Sequence, residues 1–204
     1  MTTPPAADRR FPLIPEDRLT AEQRAIVDDI RAGPRSKLTT SSASRPGPIG
    51  GPFNVILRSP GIGMLIQKLG GEIRFNSVLS GKLNELAIIV TARHHTANYE
   101  WNAHCKLALQ GGLAPAIAQA IAEGRQPKGM DTDETLVYEF SRSLHEKHGV
   151  SDALFKRAFD RFGERGVVDM IAVNGYYTLV SFLLNVDQTP LPAGVEPALK
   201  PLTK

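Results

Sequence analysis

Apolar residues recur along this chain at intervals of three and four, and residues with capping character interrupt them, which is the pattern of successive amphipathic helices. Thr20 with Gln23 three residues on predicts a capping box, and the helix it opens ends near Gly33-Pro34. Ser59-Pro60 predicts another start, followed by a stripe of Met64, Leu65, Leu69 and Ile73 that reaches about Phe75. The pair Gly70-Gly71 inside that stripe predicts a kink or a close backbone approach. Ser80 caps a helix whose buried stripe is Leu86, Ile89 and Val90. A polar elbow, His94-His95-Thr96, separates it from the next helix, with Thr96 as N-cap and Gly111-Gly112 as the stop. Pro115 to Glu123 reads as a short helix closed by Gly124, and Asp131 with Glu134 opens one that runs to about Lys147. Ser151 caps a helix that stops at Gly163, and a last long helix covers about Glu164 to Asn185. No stretch alternates with period two between hairpin turns. The fold class expected is all-α, with about seven or eight helices.

Between these elements, residues 35–52 form a long loop dense in Ser, Thr, Pro and Gly, of a length that is either mobile or functional. Residues 1–18 read as an extended arm in which Phe11-Pro12-Leu13-Ile14-Pro15 packs against another surface. Residues 19–192 read as one helical domain and 193–204 as a tail turned away by Pro190 and Pro192.

Composition narrows the function classes. At 204 residues, with 42% hydrophobic and 22% charged residues, the chain suits one soluble globular domain with a substantial core. The formal charge of +3 is small, and its basic residues are scattered rather than interleaved with aromatics, so nucleic acid is not an expected partner. A single cysteine, Cys105, excludes an intrachain disulfide and a C-x-x-C redox pair. The N-terminal stretch lacks an apolar segment of signal-peptide length. The longest apolar stretch, Val167 to Val186, contains Asp169, Asn174 and Asn185, which favours a buried bundle helix over a membrane span. A cytoplasmic protein without membrane partners is expected.

Candidate chemistry concentrates at the elbow, LNELAIIVTARHHTANYEWNAHCKLALQGG. Glu100 and His104 are four residues apart, so on a helix their side chains share a face. A carboxylate beside an imidazole can set its tautomer and basicity for proton transfer, although such a pair is also common on solvated helix surfaces. His94, His95, Glu100 and His104 together offer enough nitrogen and oxygen donors for a metal. Their spacing argues against it: neither H-E-x-x-H nor a repeated Glu-x-x-His is present, and adjacent histidines on a regular helix point about 100° apart. No metal and no cofactor is therefore expected.

This segment resembles the carboxymuconolactone decarboxylase and alkylhydroperoxidase D superfamily. In the peroxidase branch a Glu precedes a C-x-x-C-x-x-x-H motif by twelve residues; here Glu85 takes the Glu position, Ala97 and Glu100 the two cysteine positions, and His104 the histidine. Weaker resemblance extends from Phe11 to about Pro192. Loss of both cysteines argues against thiol peroxidase chemistry, and Glu in place of the second cysteine is similar to the decarboxylase branch. The resemblance implies a compact alkylhydroperoxidase D-like helical bundle that assembles as a homo-oligomer, trimeric or a multiple of three. It also implies a lyase acting on a small carboxylated lactone or a related intermediate of aromatic-compound catabolism.

Under that reading His104 is the acid–base residue, Glu100 orients it and Glu85 faces it across the elbow. Such a reaction also needs a cation for a substrate carboxylate and a donor to the developing oxyanion. Arg93 and Arg74 are candidates for the first and Tyr99 for the second, with surface ion pairing and backbone bonding as their plainer roles. His94, His95 and Asn54 complete the substrate-binding candidates. Asn54 enters because Gly50 to Asn54 resembles a family segment that approaches the cavity, although a plain turn accounts for it equally. Trp101 reads as core or subunit contact, and Cys105 as a small buried hydrophobe. A metal-dependent or non-catalytic small-molecule-binding protein is the alternative.

Overall fold

The structure, a computed structural model, describes residues 9–37 and 42–202. The sequence-based readings of residues 1–8, 38–41 and 203–204 fall outside that set. Among the described residues there are eight α-helices and no strand. The chain divides into two compact units, Met1–Phe75 with Leu183–Pro190 and Asn76–Phe182 with Leu191–Lys204. These units follow packing, whereas the limits expected at 18 and 192 follow composition.

In the first unit, α1 (Ala21–Ala32) opens with both halves of the Thr20–Gln23 capping box and ends at Gly33. Ile26, Val27 and Ile30 form its buried face and join Ile49 and Leu57 in one core cluster. The long loop is not wholly irregular, since 3-10 turns occupy Pro34–Lys37 and Ser42–Ser44. Gly50 to Asn54, readable either as a cavity-approaching segment or as a plain turn, leads into a short helix, α2 (Pro52–Ile56), with proline in its first turn. Helix α3 (Pro60–Phe75) follows. It makes a close backbone approach at Gly63, where a Cβ would lie 2.4 Å from the Ile56 carbonyl oxygen. The described part of the arm is tied down by Asp187, which pairs with Arg9 and accepts the Phe11 N–H at 2.9 Å.

The second unit is built around α4 (Gly81–His94), capped by the Ser80 hydroxyl. The sequence suggests a one-sided stripe, but every residue from Leu83 to Arg93 is buried. A helix that is apolar all round belongs inside, and Leu86 to Ala92 is nearly that. Helices α5 (Asn98–Gln110), α6 (Pro115–Ala122) and α7 (Thr132–Lys147) pack against it. Asp131 and Glu134 form the capping box of α7.

Helix α8 (Asp152–Asp187) is broken at Gly163, where φ is 69° and ψ −178°, so the two expected helices are present across a sharp bend. It is long and apolar enough to cross a membrane by composition, and half of its most apolar window is buried here. Its polar residues are engaged: Asp169 accepts from the Ser77 hydroxyl and the Val78 N–H, and Asn174 is 1% exposed.

The elbow departs from expectation in one respect. Thr96 does not cap α5; it adopts φ 51° as the reversing residue at the end of α4. The Thr96 N–H donates to the Arg93 carbonyl and the Ala97 N–H to the Ala92 carbonyl, the paired bonds of a Schellman ending. The Thr96 hydroxyl accepts from Arg93 at 2.8 Å, so α5 begins without a side-chain cap.

Candidate functional site

Glu85 lies on the first half of α4 and His104 in the second turn of α5, and the elbow folds the two helices against each other. Their side chains meet: His104 Nδ1 and Glu85 Oε2 are 2.6 Å apart, and both residues are 9% exposed. The edge of Tyr177 on α8 closes on the imidazole, with ring centroids 4.9 Å apart. Glu100, expected to orient His104, is elsewhere engaged. It is 1% exposed, and one carboxyl oxygen accepts from the Ser181 hydroxyl at 3.1 Å. Its other oxygen has no hydrogen-bond partner. Burial pushes its pKa well above the carboxylate range, the Ser181 bond opposing only in part, so Glu100 is held as a neutral acid. The ring's partner is thus Glu85, and Glu100 is a separate buried acid one turn earlier on α5.

A second cluster forms at the far end of α4. His94 and His95 meet His145 of α7, and one ring nitrogen from each lies within 4.8 Å of the others. His94 stacks on His145 with centroids 4.8 Å apart and 19° between planes, while His95 stands edge-on to both. All three are held toward the neutral form, burial being the main cause; in His145 it acts with the neighbouring imidazoles and brings the pKa down to about 4.

His94 and His145 also line a cavity of about 100 Å³ with Arg93, Arg125, Arg142 and Glu146. Arg125 pairs with Glu123, and Arg142 with Glu146. Arg93 is 5% exposed and donates to the Ala122 carbonyl and Thr96, and its Nε has no partner. Eight residues of helix, about 12 Å of rise, separate Arg93 from Glu85. Arg93 therefore belongs to the histidine cavity rather than to the Glu85–His104 pair.

The remaining candidates are dispersed. Tyr99 is half-buried on α5. Asn54 and Arg74 belong to the first unit, where Asn54 donates to the Phe11 carbonyl and Arg74 lies over Phe75. Trp101 is buried, and Cys105 is half-buried with its thiol pKa raised by burial. Sequence reasoning missed His145, Tyr177 and Ser181 because each comes from a helix remote in sequence. Asn174 carried a signal, an amide in an apolar run, which here serves His145: Nε2 of the ring is 3.1 Å from the Asn174 amide oxygen.

Among the described residues these helices define an all-α fold. A solved structure with this arrangement is an uncharacterized peroxidase-related protein from Silicibacter sp. TM1040, which covers 95% of this chain and 96% of its own with a TM-score of 0.69. Sequence identity is 14%, so the likeness is one of fold. No protein-family model and no curated protein matches the sequence.

Proposed function

We propose that the chain is an acid–base carboxy-lyase acting on a small carboxylated lactone or a related intermediate of aromatic-compound breakdown. The observation that carries this reading is the buried 2.6 Å contact between His104 and Glu85. A carboxylate on Nδ1 orients the ring, fixes the tautomer and stabilises the imidazolium, leaving proton transfer to Nε2. In the reaction the bond to the departing carboxylate breaks as carbon dioxide, and its electron pair enters the conjugated carbonyl to give an enolate. The imidazolium of His104 then delivers a proton to carbon. Glu100, kept neutral by burial and with one oxygen unpartnered, suits donation to the developing enolate oxygen, as a neutral acid in an apolar site can do.

The test is a panel of carboxylated lactones, followed by ultraviolet loss of conjugation and by carbon dioxide release. His104→Ala should lower turnover by about 100- to 10,000-fold while the ligand still binds. A variant as active as the parent would end this reading, and so would a chain that turns over no member of the panel. The same preparation should not reduce organic hydroperoxides with a dithiol, because no C-x-x-C pair exists and burial keeps the Cys105 thiol protonated. Dithiol-driven peroxide turnover that disappears in Cys105→Ser would instead favour thiol chemistry.

A further inference from the structure

We propose that His94, His95 and His145 bind a divalent transition-metal ion of the zinc type, and that Arg93 draws a small carboxylate anion to it as a further ligand. The first support is geometric: three imidazole nitrogens from two helices lie within 4.8 Å of one another. Tetrahedral ligation at about 2.1 Å needs separations of about 3.4 Å. His94 is the exposed member of the three, and a turn of its ring would close that gap.

The second support is the bonding behind the rings. The Asn174 amide nitrogen donates to the Met170 carbonyl at 2.7 Å, which fixes the amide so that its oxygen faces His145. An amide oxygen only accepts, and the Thr91 hydroxyl, 2.9 Å from the same nitrogen, donates to the Ala87 carbonyl, so His145 Nε2 carries the proton and Nδ1 keeps its lone pair. The Thr178 hydroxyl spends its single proton on the Asn174 carbonyl and therefore accepts from His95 Nε2, 3.3 Å away. In both rings Nε2 is anchored as a donor, the kind of bonding behind the ring that orients metal-bound histidines.

The third support is Arg93, an independent sign of an anion. It is buried beside the cluster with no carboxylate partner, and its Nε is unsatisfied. The other two arginines of the cavity already have Glu123 and Glu146. A buried cation without a counter-charge is costly, and a metal ion next to it would add to the cost. One small anion bridging Arg93 and the metal offsets both, and the cavity of about 100 Å³ leaves space for a group of that size. This inference does not rest on the acid–base reading, since Glu85 and His104 contribute no ligand.

The experiment uses tag-free, chelator-treated full-length chain titrated with Co2+, read by its visible ligand-field absorption and by metal-to-protein stoichiometry, with circular dichroism to check each variant's fold. The parent and His104→Ala should each bind one Co2+ per chain, and Zn2+ should displace it. His94→Ala and His145→Ala should bind at least about 100-fold more weakly. His94 is exposed, so its variant remains informative if His145→Ala does not fold. Added acetate should shift the Co2+ spectrum of the parent and not that of Arg93→Gln. The metal site is overturned if the parent binds no stoichiometric Co2+, if His94→Ala binds like the parent, or if folded His104→Ala loses the metal. An acetate response that is absent from the parent, or unchanged in Arg93→Gln, overturns the anion assignment.

Discussion

Glu100 shows how burial rewrites the chemistry of a single side chain. Near the start of a helix a carboxylate is favoured by the dipole, yet full burial outweighs that and keeps the proton on. Its ordinary value is 4.5, and its folded value is raised. From about pH 4.5 upward the unfolded chain releases this proton while the folded chain retains it. The stabilising contribution is thus complete below that pH and is lost as pH rises toward the folded pKa, with a slope of up to about 1.4 kcal/mol per pH unit. Glu100→Gln keeps the shape but cannot titrate. Urea unfolding across a pH series should show this variant gaining on the parent as pH rises, and a difference independent of pH would contradict a neutral Glu100. Glu85, Glu100 and His104 were each legible as candidates from one short motif. Which carboxylate holds the imidazole was not, because spacing on α5 favours Glu100 while the antiparallel return of α5 along α4 delivers Glu85.

At the scale of elements, local signals were strong wherever a side chain or a glycine satisfies helix-end backbone groups. The boxes at Thr20 and Asp131 and the endings at Gly112 and Gly124 lie where the sequence suggests. Thr96 misled because a β-branched residue rarely adopts positive φ, and its hydroxyl serves Arg93 instead of a helix start. Gly163 is the opposite case, a glycine required by its backbone. A Cβ there would meet nothing within 4 Å, so the cost of Gly163→Ala comes from conformation alone. It should destabilise by about 1–3 kcal/mol in denaturant unfolding. Gly175→Ala, also without a neighbour but at ordinary helical φ, should instead stabilise by about 0.5–1 kcal/mol. Equal effects at the two sites would refute the strained bend.

For the whole molecule, the surface of α8 carries the main unexplained feature. Val168, Ile171, Leu179 and Phe182 are 61%, 50%, 37% and 52% exposed, and their spacing puts them on one stripe. A continuous apolar stripe of this kind marks an interaction surface, and we propose that further copies of the chain cover it in a trimer or a multiple of three. Light scattering at micromolar concentration should report such an assembly, and Ile171→Lys with Leu179→Lys should shift it to a smaller species. A monomer across that range would remove the proposal.

By itself the sequence determined the helices other than α2, most of their ends, the all-α class and the short list of chemically capable residues. Those features depend on contacts within a few residues, namely 3.6-residue periodicity, capping hydrogen bonds and positive-φ glycines. Tertiary structure alone decided which groups meet: His104 with Glu85 across the elbow, Glu100 with Ser181, and His145 with two histidines some fifty positions earlier. It also decided that Glu100 is neutral and that Arg93 lacks a counter-charge, because desolvation depends on everything packed around a group, and no window of sequence contains that.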